Sequence, residues 1–315
     1  MKRTKFITGL SKTSGHNRSR SRRVKLLNVA GPLLAVFPAI LLVLVFLGYP
    51  IGYGFWLSLQ DVSLFDLGGG EFIWFQNYID ILSDPKFQNA LVRTILFVFG
   101  VIVLGMLQSL LFALILDKIP SWARPIRAIS LVPFFISSIA VAMVWRFFVQ
   151  SEGGFTSLFT NAAGQAPLSW LGDPTLALVV VIVATVWTVA PFSVLLILAG
   201  LQTINDEFYD AAAVDGAGPI QILFFITLPQ LRPQIVTALI WLTFQAFNSF
   251  GLILALTGGG PGRSTELLAV FMSGLGLKSL DISGSSAVMI IILALNALFS
   301  LVYLKLLPQD EPVKK

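Results

Sequence analysis

The sequence predicts an all-α membrane protein, a polytopic helical bundle that crosses the bilayer six times. Its mean hydropathy is +0.85, and charged residues make up only 12% of the chain, about half the share of an ordinary soluble domain. The apolar residues gather into six runs, each near the length of about 20 residues that spans a bilayer. Residues 1–27 hold nine Lys and Arg and no acid, which is typical of a cytoplasmic anchor.

These runs define one six-helix membrane domain over residues 28–308, between a basic N-terminal tail at 1–27 and a short C-terminal tail at 309–315. We expect the basic tail to be disordered or to lie on anionic lipid. The predicted spans cover residues 29–57, 90–116, 126–149, 174–200, 232–256 and 285–307.

The distribution of basic residues predicts the orientation of this domain. Six spans place both termini on the same side, and 16 of the 21 Lys and Arg then fall on that side. Because cytoplasmic segments carry the excess of Lys and Arg, both termini are predicted to be cytoplasmic. The five remaining basic residues are Lys86, Arg93, Arg146, Arg263 and Lys278.

Composition excludes several classes of function. The chain has no Cys, and its single His lies in the basic tail, so disulfides, metal sites and His-based catalytic triads are not expected. The spans hold almost no charge in their central parts, which argues against proton relays, ion pumps and voltage sensors. A membrane enzyme would need ionisable groups that converge within the bilayer, and the sequence suggests none. The basic excess lies at one end, so nucleic acid is not an expected partner.

The connection between spans four and five differs in kind from the other loops. Asn205 can cap a helix whose first turn carries Asp206 and Glu207, and Gly216 can end that helix. Pro219 can open a second helix, and Pro229 is expected to end it. The pattern predicts a compact helix–turn–helix loop over residues 205–229, on the cytoplasmic side.

Neutral polar residues within spans four, five and six support two interpretations. They could form hydrogen bonds between helices, worth about 0.6 kcal/mol on average in membrane bundles, or they could line a polar path for a neutral hydroxylated solute. The candidate path residues are Thr185, Trp187, Thr188, Gln245, Asn248 and Asn296.

Two outer loops carry further patterns. The loop near 58–89 is acidic and contains interleaved aromatic residues, which predict an interfacial belt or a small helical cap rather than a ligand contact. The loop at 256–268 ends in Gly262-Arg263-Ser264, like a nucleotide-binding loop. Thr257 stands where that pattern needs Gly, and Arg263 replaces the required Lys, so a tight turn is expected instead.

The 205–229 loop resembles the Glu-Ala-Ala motif of ABC importer permeases. The motif begins with an acid and two alanines. Three residues separate the alanines from a Gly, nine residues separate that Gly from an Ile, and one residue separates the Ile from Leu-Pro. Every spacing is kept, with Asp in place of Glu at the first position. The residues that carry the resemblance, together with the Asp that precedes the Gly, are Asp210, Ala211, Ala212, Asp215, Gly216, Ile226, Leu228 and Pro229.

The outer loop at Gly258, Gly259, Gly260 and Pro261, followed by Thr265, is similar to that of carbohydrate-type permeases. Residues 270–284 lack the aromatic pattern usual in that group.

The resemblance implies a type I importer fold and a permease subunit, not an enzyme, in a bacterial or archaeal cytoplasmic membrane. It implies a carbohydrate as the solute (a sugar, oligosaccharide or polyol), with glycerol 3-phosphate or another non-sugar solute as the alternative. The implied partners are a second permease, an ATPase dimer that holds ATP and Mg²⁺, an extracytoplasmic solute-binding protein and membrane lipid; no cofactor is implied for this chain. The 205–229 loop would be the coupling helix, which Asp210 orients by capping or by an ion pair.

Overall fold

The computed structural model describes residues 36–63, 70–119, 124–162, 166 and 168–306. The predicted tails at 1–27 and 309–315, and the start of the predicted first span, lie outside these residues. The chain divides into two compact units, Met1–Gly54 and Phe55–Lys315. The described part of the first unit is one apolar helix with a π-helical turn at Leu44–Gly48.

The second unit is helical apart from a small hairpin, in which strands β1 (Gln60–Asp61) and β2 (Glu71–Phe72) pair antiparallel. Helix α1 crosses the boundary between the units. In chain order, the helices of the described residues are α1 (Val36–Ser58), α2 (Gln76–Ser83), α3 (Pro85–Asp117), α4 (Arg124–Ile129), α5 (Ser138–Val149), α6 (Phe155–Ala162), α7 (Pro174–Leu201), α8 (Asp206–Val214), α9 (Pro219–Gln230), α10 (Arg232–Phe247), α11 (Phe250–Leu256), α12 (Leu268–Lys278) and α13 (Ile282–Leu306).

Four helices, α1, α3, α7 and α13, are long and apolar enough to cross a membrane alone. Two bent helix pairs are each, by length and composition, equivalent to one further span. One runs from α4 through a 3-10 turn at Val132–Phe135 into α5 and bends by 98°; the other joins α9 to α10 and bends by 73°. Counting each pair as one span gives six, and the predicted all-α membrane bundle is confirmed.

The predicted third span, 126–149, is broken in the middle. Pro133 has no amide hydrogen to continue a helix, and the backbone becomes extended at Ile136, with φ −80° and ψ 137°. Ser137 then starts α5, because its Oγ accepts a hydrogen bond from the Ala140 amide at 3.4 Å. The apolar run in the sequence predicts a segment long and hydrophobic enough to span the membrane, but it does not predict this change of helix direction.

The predicted fifth span, 232–256, is also interrupted. Helix α10 ends at Phe247, and two polar residues separate it from α11. Their side chains satisfy carbonyls of the last turn of α10: Asn248 Nδ2 donates to Phe244 O at 2.8 Å, and Ser249 Oγ donates to Gln245 O at 2.7 Å. The break is thus stabilised within the bilayer without exposing unpaired carbonyls.

Helices α3, α7 and α10 form the centre of the second unit. α3 packs along α7, and α10 packs against both. Phe97, Ile197 and Leu242 lie in this core and are fully buried. Trp241 on α10 donates its indole N–H to the Val189 carbonyl of α7 at 3.3 Å, so the two helices that carry most of the candidate path residues are held against each other.

Candidate functional site

The first candidate region, the 205–229 loop, begins with helix α8. Asn205 is extended, with φ −71° and ψ 131°, and its Oδ1 accepts the Glu207 amide hydrogen at 3.2 Å. Asp206 and Glu207 lie in the first turn, where their negative charge interacts favourably with the positive end of the helix dipole and stabilises the helix. The helix start is therefore built as the sequence predicts.

A tight turn at Gly216 closes α8. Gly216 has φ +76°, which costs a residue with a Cβ more than it costs glycine. The amide of Ala217 donates to Ala212 O at 2.9 Å and that of Gly216 to Ala213 O at 3.1 Å, which is how such turns satisfy the last carbonyls of a helix. A Cβ at Gly216 would meet nothing within 4 Å, so the backbone angle is what favours glycine here.

The second half of the loop differs from the prediction at its end. Pro219 opens α9 as expected, but the helical turns continue past Pro229 to Gln230 before the chain bends into α10. A π-helical turn at Leu223–Thr227 precedes the proline, and the Leu228 amide donates to Leu223 O. Pro229 has no N–H to donate to the carbonyl four residues earlier, and the wider turn accommodates it without ending the helix.

The loop presents an apolar surface with acidic residues on it. Asp210, Ala211 and Asp215 are exposed, whereas Ala212 is buried. Within the described chain Asp210 forms no ion pair, so the expected pairing with a basic residue is not found. Ile226, Leu228 and Pro229 are half-buried. The loop also carries large apolar side chains that are between 51% and 89% exposed: Phe208, Val214, Ile220, Phe224 and Phe225.

The second candidate region is a cavity of about 170 Å³ in the second unit, open at its edge, where Ser138 and Asn248 are exposed. It forms where the break before α5 meets the break after α10, with α7 as its third wall. It contains four of the six predicted path residues: Thr185 and Thr188 from α7, and Gln245 and Asn248 from the end of α10. The remaining lining residues are Phe134, Ile136, Ser138, Val141, Val189, Ser249 and Leu252.

The polar groups of this cavity are neutral, and one of them is buried without a hydrogen-bond partner among the described residues. Thr188 Oγ1 donates to Ala184 O at 2.9 Å. Thr185 is only 1% exposed, yet its Oγ1 has no hydrogen-bond partner among the described residues. A buried hydroxyl without a partner is unfavourable, so Thr185 is suited to bind a polar group that enters the cavity. Asn248 is exposed and adds an amide at the edge.

Two predicted path residues lie elsewhere. Trp187 is two positions from Thr185 and therefore on another face of α7; its ring packs edge-on against Trp145, with centroids 6.3 Å apart. Asn296 lies on α13, where its Nδ2 donates to Ile292 O at 3.2 Å. The six residues therefore do not form a single site, although four of them do.

Sequence reasoning missed the contribution of the helix breaks. Phe134, Ile136, Ser138 and Ser249 reach the cavity only because the third and fifth spans are interrupted. The sequence carries a signal for the first break in Pro133 followed by Ser137, a proline and a residue that favours helix starts.

The loop after α11 is a tight turn, as predicted. Gly259 has φ +91°, in the region that favours glycine. Thr265 Oγ1 donates to Gly260 O at 2.8 Å and lies 2.7 Å from Thr257 Oγ1. Arg146 Nε donates to the Leu256 carbonyl at 3.1 Å, and Arg263 pairs with Glu266. The hydroxyls of Thr257 and Thr265 and the Arg263–Glu266 pair thus stabilise the loop itself.

Comparison with known proteins assigns this architecture. A family model described as "Binding-protein-dependent transport system inner membrane component" matches residues 102–309. The trehalose/maltose transport system permease protein of Thermococcus litoralis is 36% identical, over 86% of this chain and 92% of that protein. The sulfoquinovosyl glycerol permease of Agrobacterium fabrum is 33% identical, over 91% and 94%. The sn-glycerol-3-phosphate permease of Pectobacterium atrosepticum is 30% identical, over 84% and 89%.

The fold is also found among solved structures. A chain of a bacterial alginate ABC transporter, crystallised with an alginate pentasaccharide-bound periplasmic protein, superposes with a TM-score of 0.72 at 21% identity, covering 90% of this chain and 96% of that chain. The chain therefore belongs to the family of binding-protein-dependent transport system inner membrane components, the permease subunits of ABC importers.

Proposed function

We propose that this permease passes a neutral carbohydrate, a sugar, oligosaccharide or polyol, through the cavity between α5, α7 and α10. The observation that carries the proposal is the cavity lining, which offers hydroxyl and amide groups and, among the described residues, no charged side chain. Such groups suit the hydroxyls of a sugar, and Phe134 adds an aromatic face. Relatives named for trehalose/maltose and sulfoquinovosyl glycerol transport support the same class of solute.

A relative named for sn-glycerol-3-phosphate transport favours a second candidate. A phosphate is best held by Arg or Lys, yet neither Arg93 nor Arg146 lines the cavity. Arg146 is engaged with the Leu256 carbonyl. The lining therefore favours the neutral solute over the phosphorylated one.

The 205–229 loop is the proposed contact with the ATPase dimer. Its exposed apolar side chains, next to Asp210 and Asp215, suit insertion of a helix into a groove of a partner protein. Because α9 continues directly into α10, a movement of the docked loop would reach the helix that carries Gln245. ATP and Mg²⁺ belong to the ATPase in this scheme, and a second permease completes the path.

The proposed orientation places this loop and both termini in the cytoplasm, and α2 outside. Basic residues support it locally: Arg127 Nη2 donates to the carbonyls of Leu116 at 3.0 Å and Ile119 at 3.2 Å, at the end of α3 assigned to the cytoplasm. Because cytoplasmic segments carry the excess of Lys and Arg, a basic residue held at this end of α3 agrees with the proposed orientation.

The test uses the importer reconstituted in liposomes with its ATPase, second permease and binding protein. Asn248→Ala and Gln245→Ala should lower the uptake of radiolabelled carbohydrate at least tenfold while the subunits still co-purify. Asn296→Ala is the matched control, a polar residue on a spanning helix outside the cavity, and should leave uptake near wild type. If uptake stays near wild type in all three variants, the cavity residues have a structural role only.

A further inference from the structure

A second polar groove, of about 260 Å³, lies between the end of α5 and the segment that leads into α7. It shares no lining residue with the cavity proposed for the solute. Its polar lining residues are a guanidinium, an amide and two hydroxyls, from Arg146, Gln150, Ser151 and Ser169. Among the described residues no acid lines it, so this groove, unlike the cavity, carries a net positive charge.

Arg146 is held in place through one of its nitrogen atoms. Its Nε donates to the carbonyl of Leu256 at 3.1 Å. Leu256 is the last residue of α11, where a cation also interacts favourably with the helix dipole. The two Nη groups form no hydrogen bond or ion pair with a described residue. One bond thus fixes the guanidinium, and its terminal N–H groups remain available to bind two oxygens of one anion.

The polar residues beside Arg146 add neutral hydrogen-bonding groups. Gln150 and Ser169 are exposed in the groove, and their side chains make no hydrogen bond to a described residue. A Cβ at Gly172 would overlap the Ser169 hydroxyl, so glycine at this position leaves room for that hydroxyl. The groove therefore presents donors from both of its walls, α5 on one side and the segment before α7 on the other.

The acids nearest to the groove in sequence do not neutralise Arg146. Asp173 caps α7, because its Oδ1 accepts two amide hydrogens of the first turn at 2.8 Å and 2.9 Å. Glu152 is exposed and does not line the groove. Arg146 forms no ion pair within the described chain. A half-buried guanidinium without a carboxylate partner favours an anion that comes from outside the chain.

The groove borders an apolar surface. Phe147, which follows Arg146 on α5, is 61% exposed, and the exposed Gln150 comes one turn later. Lipid headgroups and dissolved anions both have access to a polar site at the edge of an apolar surface.

We infer that this groove binds a phosphate group, either as free phosphate or in a lipid headgroup. The guanidinium of Arg146 supplies two parallel N–H···O bonds, and Gln150 and Ser169 supply donors for a third oxygen. The bound group would join α5 to the segment before α7, since Arg146 and Ser169 belong to these two parts of the chain. The inference is independent of the proposed solute path, because none of these residues lines that cavity.

Thermal unfolding of the purified full-length chain tests the binding of free phosphate. The detergent carries no phosphate group, and sodium phosphate is compared with sodium chloride at equal ionic strength, so that screening is the same. The rise of the unfolding midpoint in phosphate should be larger in the wild type than in Arg146→Gln by about 2 °C or more. Lys86→Gln is the matched control, because it removes the same charge from an exposed residue, and its rise should equal that of the wild type.

Ser169→Asp is a second variant, which keeps the bond between Arg146 and Leu256. Its carboxylate should pair with the guanidinium and occupy the groove. This variant should therefore unfold at a higher temperature than the wild type in chloride, and it should gain no further stability from phosphate. If Arg146 serves only to bind the Leu256 carbonyl, Ser169→Asp will respond to phosphate as the wild type does, and that result contradicts the inference.

Native mass spectrometry of the same purified chain tests the lipid headgroup. Phospholipid retained on the wild type and on Lys86→Gln, but reduced about tenfold on Arg146→Gln, assigns the groove to a headgroup. A phosphate-dependent rise of the midpoint without retained phospholipid assigns it to free phosphate. The inference is overturned if Arg146→Gln changes neither the response to phosphate nor the retained phospholipid.

Discussion

The turn at Gly216 yields a quantitative prediction for coupling. Its φ of +76° costs an L-residue with a Cβ roughly 1 to 2 kcal/mol, and a β-branched residue more. Because a Cβ there meets nothing within 4 Å, the cost comes from the backbone alone. About 1.4 kcal/mol is a tenfold change in an equilibrium constant, so Gly216→Ala should lower the ratio of the turned loop to its other conformations about tenfold.

The order of the substitutions is the informative result. Asn tolerates the left-handed region better than other L-residues, so uptake per ATP hydrolysed should fall in the order Gly, Asn, Ala, Val at position 216. Uptake and ATP hydrolysis are measured together in proteoliposomes, with co-purification of the ATPase as the measure of assembly. Gly274→Ala is the matched control, because Gly274 also has free space around its Cβ position but a helical backbone, with φ −62°.

Two results would refute this reasoning. Normal coupled uptake in Gly216→Val would show that the 205–229 loop does not need its turn for coupling. An Asn variant as impaired as the Val variant would show that side-chain volume against the ATPase, rather than the backbone angle, is the constraint at this position.

Three further predictions test the loop and the packing. Phe225→Asp should abolish co-purification with the ATPase, because Phe225 is exposed on α9, in the proposed contact. Leu277 is equally exposed but lies on α12, so Leu277→Asp should leave co-purification intact. Equal loss in both variants would indicate general misfolding. Val214→Cys should react with an impermeant maleimide only in permeabilised cells, and labelling of intact cells would reverse the orientation. Thr243→Val removes the 2.9 Å hydrogen bond to Tyr303 together with the 2.8 Å bond to Leu239 O. It should lower the free energy of unfolding in detergent by about 0.6 kcal/mol per bond between helices, while Thr243→Ser should not. Equal stability of both variants would show that the Thr243 hydroxyl contributes nothing.

Local signals in the sequence predicted much of the 205–229 loop. Asn205 caps α8 and Gly216 closes it, because capping and a positive φ depend on a few neighbouring residues. The end of α9 was wrong, because Pro229 stops a helix only when its missing hydrogen bond cannot be accommodated. A π-helical turn accommodates it here, and the residues of that turn carry no local signal for it.

The candidate path was predicted less completely. Thr185 and Thr188 were correctly placed on one face of α7, because their spacing is a property of any helix. Trp187 and Asn296 were included because they are near in sequence or similar in chemistry, yet they lie outside the cavity. Ser138 and Ser249 were missed, because the sequence was interpreted as continuous spans where the structure has breaks.

The sequence by itself determined an all-helical membrane bundle and the helix–turn–helix loop within it. Hydrophobic length and turn chemistry act over short stretches, and each can be evaluated before the chain is folded. Only the tertiary structure decided that the breaks near Pro133 and Asn248 come together beside α7 and form a cavity with it. Which polar side chains share a cavity depends on how helices distant in sequence pack, and no single stretch of the chain carries that information.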